Sequence, residues 1–385
     1  MTSDQVSSRF IEHFQHPAQL LVRSPGRINL IGEHTDYNGG FVLPASIDKE
    51  IYFAISPRTD GLCRVEAANL SAVGEFSVHE LTHTSQGWLN YLIGSTKQVV
   101  DAGKSIGGFD LVFGGNIPTG AGLSSSAAVE CGLIFCLNKL FSLGFSTVEM
   151  VKMAQKAENT FVGVNCGIMD QFASMFGQDN HVIRLDCRSL EYQYAPFMAS
   201  DYSLILCDTG VKHSLGDSEY NTRRQECEIG IALLRQYYPA VQLLRDVTSS
   251  MLEEHRAELS PIVYQRCRYV IDEIERVPAA CEDLQRNDLV AFGQKMYATH
   301  EGLQHLYEVS CPELDYLVAQ ARLNDAVLGA RMMGGGFGGC TINLVRTDAA
   351  EAFVETMAAA YQAQFGIPLV THLVRITQGT SVLTN

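Results

Sequence analysis

Hydrophobic and polar positions along the chain change their period several times, and each change marks an element. Val6, Phe10, Ile11 and Phe14 recur at helical spacing, which predicts an amphipathic N-terminal helix. Short β-type runs follow at residues 20–22, 41–43, 51–55, 63–67 and 75–81. Trp88 opens a predicted helix over 89–100, and an apolar strand over 109–113 precedes a helix over 129–140. Ser146-Thr147-Val148-Glu149 is a capping-box pattern that starts a helix to Glu158. Asp170 stands at the head of a further short helix, and strands at 181–185 and 190–194 close this half.

A second half begins near Tyr202 with the buried-strand pattern Leu204-Ile205-Leu206-Cys207. Residues 216–224 open a long helix, and capping boxes are predicted at Ser250/Glu253 and Ser310/Glu313. Arg331-Met332-Met333-Gly334-Gly335-Gly336-Phe337-Gly338-Gly339-Cys340 leads into a strand over 341–345. A helix opened by Asp348/Glu351 and a strand over 369–376 complete the order β, helices, β, α, β. That order predicts a split βαβ, ferredoxin-like layer. With 385 residues, two domains are expected, here 1–198 and 199–385.

Composition narrows the class. A hydrophobic content of 46% with 18% charged residues describes a soluble globular protein. The formal net charge of -15 argues against a general binder of nucleic acid or anionic membrane. It leaves room for a nucleotide, because a glycine-rich nest and a divalent cation offset phosphate charge locally. Eleven scattered cysteines without a Cys-x-x-Cys pair suit reduced thiols in a cytoplasmic protein, without a zinc site. Neither a signal peptide nor a membrane-spanning run is predicted.

Two stretches carry candidate chemistry. Gly120-Ala121-Gly122-Leu123-Ser124-Ser125-Ser126-Ala127-Ala128 lies between a strand and a helix. Its glycines let backbone approach a ligand, its serines can cap the helix, and the helix N-terminus favours an anion. It suits a phosphate cradle or a well-capped helix, and it is no P-loop, since no Gly-Lys-Ser/Thr follows. The segment Gly26-Arg27-Ile28-Asn29-Leu30-Ile31-Gly32-Glu33-His34-Thr35-Asp36-Tyr37 crowds a guanidinium, carboxylates and an imidazole into a few positions. Such a set can serve several sugar hydroxyls, each needing a donor and an acceptor, or it can be a salt-bridged surface loop. Gly334, Gly336 and Gly339 match a dinucleotide fingerprint in letters only, because a strand follows where a helix is required.

With these three glycine-bearing stretches in order, the chain resembles the GHMP kinases, and within them the galactokinase branch. Residues 26–37, Cys166-Gly167-Ile168-Met169-Asp170-Gln171, Leu185-Asp186-Cys187-Arg188-Ser189 and Ser218-Glu219-Tyr220-Asn221-Thr222-Arg223-Arg224 carry the likeness, which covers nearly the whole chain. The resemblance implies an α+β fold of two lobes: a β/α lobe like the ribosomal S5 domain 2, and a ferredoxin-like lobe. The active site would lie between them. It implies ATP-dependent phosphorylation of a sugar, galactose, at its C1 hydroxyl. Gly120, Ala121, Gly122, Leu123, Ser124, Ser125 and Ser126 would hold the ATP phosphates, and Ser126 with Glu158 would hold Mg²⁺. Glu33, His34, Thr35, Asp36, Gly167, Asp170 and Tyr220 would meet the sugar. Asp170 would act as base or orienting carboxylate, with Arg27 beside it near the transferring phosphate. Trp88 would sit towards the adenine, although a lone tryptophan is more often core packing. A monomer is expected. The alternatives are a sister kinase of N-acetylgalactosamine or arabinose, and a catalytically dead galactose sensor.

Overall fold

A computed structural model describes residues 1–118, 120–197, 200–212 and 216–383. The expected boundary at 198/199 lies outside them. The first half runs α1 (Ser3–Phe14), β1 (Leu20–Asn29), β2 (Phe41–Val42), β3 (Pro44–Pro57), β4 (Leu62–Ala67), β5 (Ala72–Ser77), α2 (Gly87–Asp101) and β6 (Phe109–Gly115). It continues with α3 (Ser125–Leu140), α4 (Thr147–Ala157), α5 (Met169–Phe176), β7 (His181–Asp186) and β8 (Tyr192–Pro196). The second half contains β9 (Tyr202–Lys212), α6 (Gly216–Tyr237), α7 (Ser249–Glu254), α8 (Pro261–Gln285), α9 (Leu289–His305) and α10 (Pro312–Arg322). It ends with β10 (Val327–Met332), β11 (Gly338–Arg346), α11 (Ala350–Phe365), β12 (Val370–Val374) and β13 (Ser381–Val382).

A six-stranded sheet of order β13-β1-β3-β6-β4-β5 forms the first lobe. Its inner face buries Phe53, Phe109, Leu111, Ile134 and Phe172 completely with α2 to α5, while α1 covers the other face through Val6 and Phe10. The last strand returns to this sheet, pairing Val382 with Val22. The second lobe has a sheet of order β10-β11-β9-β12, all antiparallel. With β9, β10, β11 and β12 as successive strands, this is the ferredoxin-like order. An apolar layer drawn from both lobes joins them, Ile28, Leu30 and Leu43 packing in one cluster with Leu206, Phe292 and Ile342. The cleft therefore opens above a welded base.

Several local expectations change. Ser24-Pro25-Gly26, with turn-type composition, lies inside β1, whose register against β3 shifts between Pro25 and Arg27. A proline cannot donate to a ladder, and such an irregularity re-aims the next side chains. Gly26 is required there, since a Cβ would sit 2.6 Å from the Leu123 carbonyl oxygen. The β5 strand falls at Ala72–Ser77 rather than 75–81. The α7 cap is Thr248 rather than Ser250. Ser310 bonds Asp315 instead of capping α10, and Asp348 pairs with Arg346 rather than capping α11. The box at Ser146 and Glu149 is present with both reciprocal bonds.

Candidate active site

The glycine loop before α3 is built by backbone conformation. Gly120, Gly122 and Ser124 have φ of 81°, 72° and 57°, and α3 begins immediately afterwards at Ser125. Left-handed residues interspersed with others curl a chain so that successive N–H groups converge, which makes an anion nest at a helix N-terminus. Ala121 and Leu123 are buried in the layer between the lobes and anchor the loop. A Cβ on Gly122 would find only the Met333 carbonyl oxygen, at 3.8 Å, so the loop faces open space. The second glycine-rich stretch, the β10–β11 turn, stands opposite: a Cβ on Gly334 would lie 3.8 Å from the Gly122 oxygen.

The serines divide their work differently from the expectation. Ser124 makes no side-chain cap; its hydroxyl donates to Asp170 Oδ2. Asp170, in the first turn of α5, also takes a two-pronged bond from Arg27, Nε to Oδ1 at 2.9 Å and Nη2 to Oδ2 at 3.0 Å. Arg27 Nη1 donates to the Gly122 carbonyl at 2.5 Å, so one guanidinium ties the acid to the glycine loop. Burial works against the Arg27 charge, but Asp170, Glu33 and Asp36 outweigh it and raise its pKa.

The acidic loop after β1 closes the other side. Glu33 Oε1 accepts from Arg331 Nη2 at 2.9 Å and from the Gly334 N–H at 2.8 Å. Burial alone would raise the Glu33 pKa, yet Arg331, Arg27 and the Gly334 N–H hold it low. Asp36 is pushed up to about 7, first by burial and then by Asp170 and Glu33. His34 is held down to about 4, mainly by burial with Arg223 and Arg331 facing it, against Glu33 and the Gly335 backbone. Its ring packs on Tyr220 of α6 at 5.4 Å between centroids. Gly167 admits no side chain, because a Cβ would meet Asp36 Oδ2 at 1.8 Å.

Behind Asp170 lies a buried acid pair. Glu158 Oε2 accepts from Gln171 Nε2 at 2.7 Å and from Cys166 Sγ at 3.3 Å, and Ser126 bonds the same carboxyl. Burial, then Asp170, raise the Glu158 pKa. Glu130 of α3, fully buried beside it, is raised well above the usual carboxylate range by burial and by Glu158. Gln171 Oε1 has no partner. The Ser126 hydroxyl and the Glu158 carboxylate beside the glycine loop are oxygen donors of the kind Mg²⁺ takes. Among the described residues no three His, Cys, Asp or Glu side chains are grouped to hold a metal.

These parts face one cleft of about 700 Å³. Of the predicted residues, Arg27, Glu33, His34, Asp36, Gly120, Gly122, Glu158, Gly167, Asp170 and Tyr220 line it. Ala121 and Leu123 support the loop from below, and Ser124 and Ser126 act on the acids just described. Thr35 turns away, its Oγ1 2.9 and 2.6 Å from the carbonyl oxygens of Gly32 and Phe41. Trp88 is not among the lining residues and packs on Phe113, centroids 6.1 Å apart. Among the contributors that escape sequence reasoning are Arg331, fully buried, and the lining residues 333–339, Val164, Asn165 and Asn221. Arg331 adjoins the flagged glycine stretch, but nothing local announces its partner.

Comparison with known proteins agrees with this geometry. Residues 8–57 match the galactokinase galactose-binding signature, 90–178 the GHMP kinase N-terminal domain and 280–363 the GHMP kinase C-terminal region. The chain is 38% identical to a galactokinase of Roseiflexus sp. (strain RS-1) over 98% of its own length and 97% of the relative's. It is 41% identical to one from Clostridium beijerinckii, covering 97% of each. The crystal structure of Lactococcus lactis galactokinase complexed with galactose superposes with a TM-score of 0.94, at 35% identity and 99% coverage of both chains. The Methanococcus jannaschii mevalonate kinase shares the fold at a TM-score of 0.66 and 16% identity, over 93% of this chain and 98% of that one.

Proposed function

This chain belongs to the galactokinases of the GHMP kinase superfamily, and on that premise we propose how its cleft works. The enzyme phosphorylates galactose, and its family uses ATP. The C1 hydroxyl is the acceptor, and galactose 1-phosphate the product. Phosphoryl transfer asks for in-line positioning and charge neutralisation more than for covalent help.

The observation that carries the assignment is the hydrogen-bond count on Asp170. A carboxylate offers about four acceptor positions. Among the described residues three are taken: Arg27 Nε on Oδ1, and Arg27 Nη2 and Ser124 Oγ on Oδ2. One remains, on Oδ1, and the side chain is 26% exposed towards the cleft. That position suits the proton of the sugar's C1 hydroxyl: Oδ1 aims the hydroxyl oxygen at the phosphorus and accepts its proton as the new O–P bond forms. Arg27 has five N–H donors, three of them engaged. The remaining two face the transferring phosphoryl group and offset its charge.

The Gly120–Ser126 backbone cradles the ATP phosphates, and Ser126 with Glu158 would hold Mg²⁺. When bound, that ion neutralises phosphate charge and leaves further coordination positions to phosphate oxygens and water. Glu33, with one oxygen fixed by Arg331 and Gly334, presents the other to the sugar beside His34, Asp36 and Tyr220. Trp88 remains assigned to the adenine side by resemblance. Eleven free thiols suit a cytoplasmic enzyme.

A coupled ADP-release assay with Mg²⁺ over galactose, glucose, N-acetylgalactosamine and arabinose tests this, with NMR identification of the phosphorylated carbon. Galactose is expected to be used best, with phosphate on C1. Preference for N-acetylgalactosamine or arabinose would select the sister kinase, and galactose binding without ADP release would select the sensor.

A further inference from the structure

One buried chain of hydroxyl groups leads away from the cleft. His34 Nδ1 lies 2.8 Å from Tyr37 Oη, Tyr37 Oη lies 2.8 Å from Tyr307 Oη, and Tyr307 Oη lies 3.4 Å from Cys227 Sγ. It crosses from the first lobe to Tyr307, just beyond α9, and to Cys227 on α6. Tyr307 and Cys227 are fully buried, and the His34 and Tyr307 rings pack at 4.8 Å. At the other end His34 Nε2 is buried and makes no hydrogen bond of good geometry among the described residues, although the Gly335 backbone stands close enough to the ring to favour its protonated form, and His34 itself lines the cleft.

Each phenol has one proton, so the chain has two polarities. In the first, the Cys227 thiol donates to Tyr307, Tyr307 to Tyr37, and Tyr37 to Nδ1, leaving the imidazole hydrogen on Nε2. In the second every bond reverses, Nδ1 carries the hydrogen, and the last phenol donates to sulfur. Imidazole nitrogen is a strong acceptor and sulfur a weak one, so the first polarity places the strongest bond where both partners are strong. Asn38 Nδ2 already points a donor at Cys227 Sγ, at 4.0 Å. The sulfur then accepts from Asn38 and gives its own proton to Tyr307, a pairing the reversed chain lacks. Burial keeps the imidazole neutral at pH 7, its pKa held down to about 4.

We propose that Tyr307 and Cys227 are positioning residues for sugar recognition: through Tyr37 they fix His34 as the Nε2–H tautomer, so that His34 presents a hydrogen-bond donor to galactose. This rests on the galactose reading above. A hydroxyl facing His34 must then act as acceptor, and an analogue carrying hydrogen in its place deprives that donor of its sugar partner.

The polarity is read directly by ¹⁵N–¹H correlation NMR of the full chain labelled at histidine, without substrate. The His34 signals are assigned by their loss in His34→Gln. A bare Nδ1 and a protonated Nε2 are expected, and a protonated Nδ1 overturns the proposal. In steady-state assays Tyr307→Phe is expected to raise KM for galactose about tenfold, the scale of a lost hydrogen bond in a buried network, with kcat and KM for ATP within about twofold. Cys227→Ser keeps a donor and is expected to retain most of the galactose affinity, whereas Cys227→Ala raises KM. Equal effects of Ser and Ala, or a change confined to kcat, overturn the proposal. Should the wild-type enzyme release no ADP with galactose, the substrate reading fails while the NMR result still decides the polarity.

Discussion

On the function proposed above, the two walls of the cleft would recognise their ligands by different means. The loop from Gly120 to Ser126 is a backbone device: left-handed residues, a helix N-terminus and open space in front. The loop from Gly32 to Gly40 is a side-chain device, buried and held by residues far along the chain. Glu273 Oε1 accepts from the Gly32 N–H, Tyr269 Oη donates to the Glu33 carbonyl, and Arg331 and Gly334 fix the Glu33 carboxylate. A phosphate is charged and nearly isotropic, so converging N–H groups suffice. A sugar is neutral and stereochemically exact in its demands, so each hydroxyl needs a preset donor or acceptor, and presetting requires a second layer.

Asp170 and Arg27 are where the two devices meet, and removing the acid should produce the largest effect. Asp170→Asn keeps the size of the side chain but leaves an amide N–H₂ or a neutral oxygen where Oδ1 is proposed to accept the hydroxyl proton. We expect kcat to fall at least ~100-fold, the lower range for a positioned proton acceptor. The fold should be retained by circular dichroism and thermal melting. Turnover within tenfold of wild type would remove Oδ1 from the mechanism.

The next contrast places the same small change on each wall. In Gly167→Ala the new methyl group would collide with Asp36 Oδ2, at 1.8 Å, so the sugar loop must shift. In Gly122→Ala the space is open and the penalty is the left-handed φ of 72°, about 1–2 kcal/mol. We expect Gly167→Ala to raise KM for galactose more than tenfold with little change for ATP. Gly122→Ala should raise KM for ATP severalfold with little change for galactose. Measured initial-rate patterns in which both variants impair both substrates alike would dissolve the distinction between the walls.

The same contrast explains what could be read from sequence. The proposed phosphate loop is legible because a strand, glycines and serines, and the start of a helix within about twenty residues contain the physics of an anion nest. The sugar loop was legible in composition but not in its supports: Arg331 lies 298 positions from Glu33 and Tyr307 lies 270 from Tyr37. The sequence of β1 looks shorter than the strand because Ser24-Pro25-Gly26 has the composition of a turn, whereas in the fold it makes a strand irregularity under the Leu123 carbonyl. β10 is hidden from sequence reasoning because Gly329 interrupts a short apolar run. That glycine is a packing requirement, since its Cβ would lie 2.6 Å from Gly293 Cα of α9. Ser124 illustrates the remaining failure: a serine at a helix start reads as a cap, and only the folded chain shows Asp170 within its reach.

The smallest expected effect concerns the acids of the sugar wall without substrate. Asp36 sits at about 7, raised by burial and then by Asp170 and Glu33, with the Tyr37 N–H bond working the other way. Its unfolded value is 3.8, so between those two pH values the folded enzyme holds a proton that the unfolded chain releases. Stability from this group is complete below about pH 4 and is lost as pH rises towards 7, by about 1.4 kcal/mol per unit at most. Asp36→Asn cannot ionise and escapes the loss. The difference in melting temperature between Asp36→Asn and wild type, both free of sugar, should therefore move in the variant's favour from pH 5 to 7 and level off above pH 8. The Gly122→Ala variant, altered on the other wall, should track the wild-type profile. A difference between Asp36→Asn and wild type that stays constant across this range would show that the carboxylate is already charged in the free enzyme. The sugar wall would then carry Glu33, Asp36 and Asp170 as three negative charges, with Arg27 and Arg331 beside them and Arg223 facing His34.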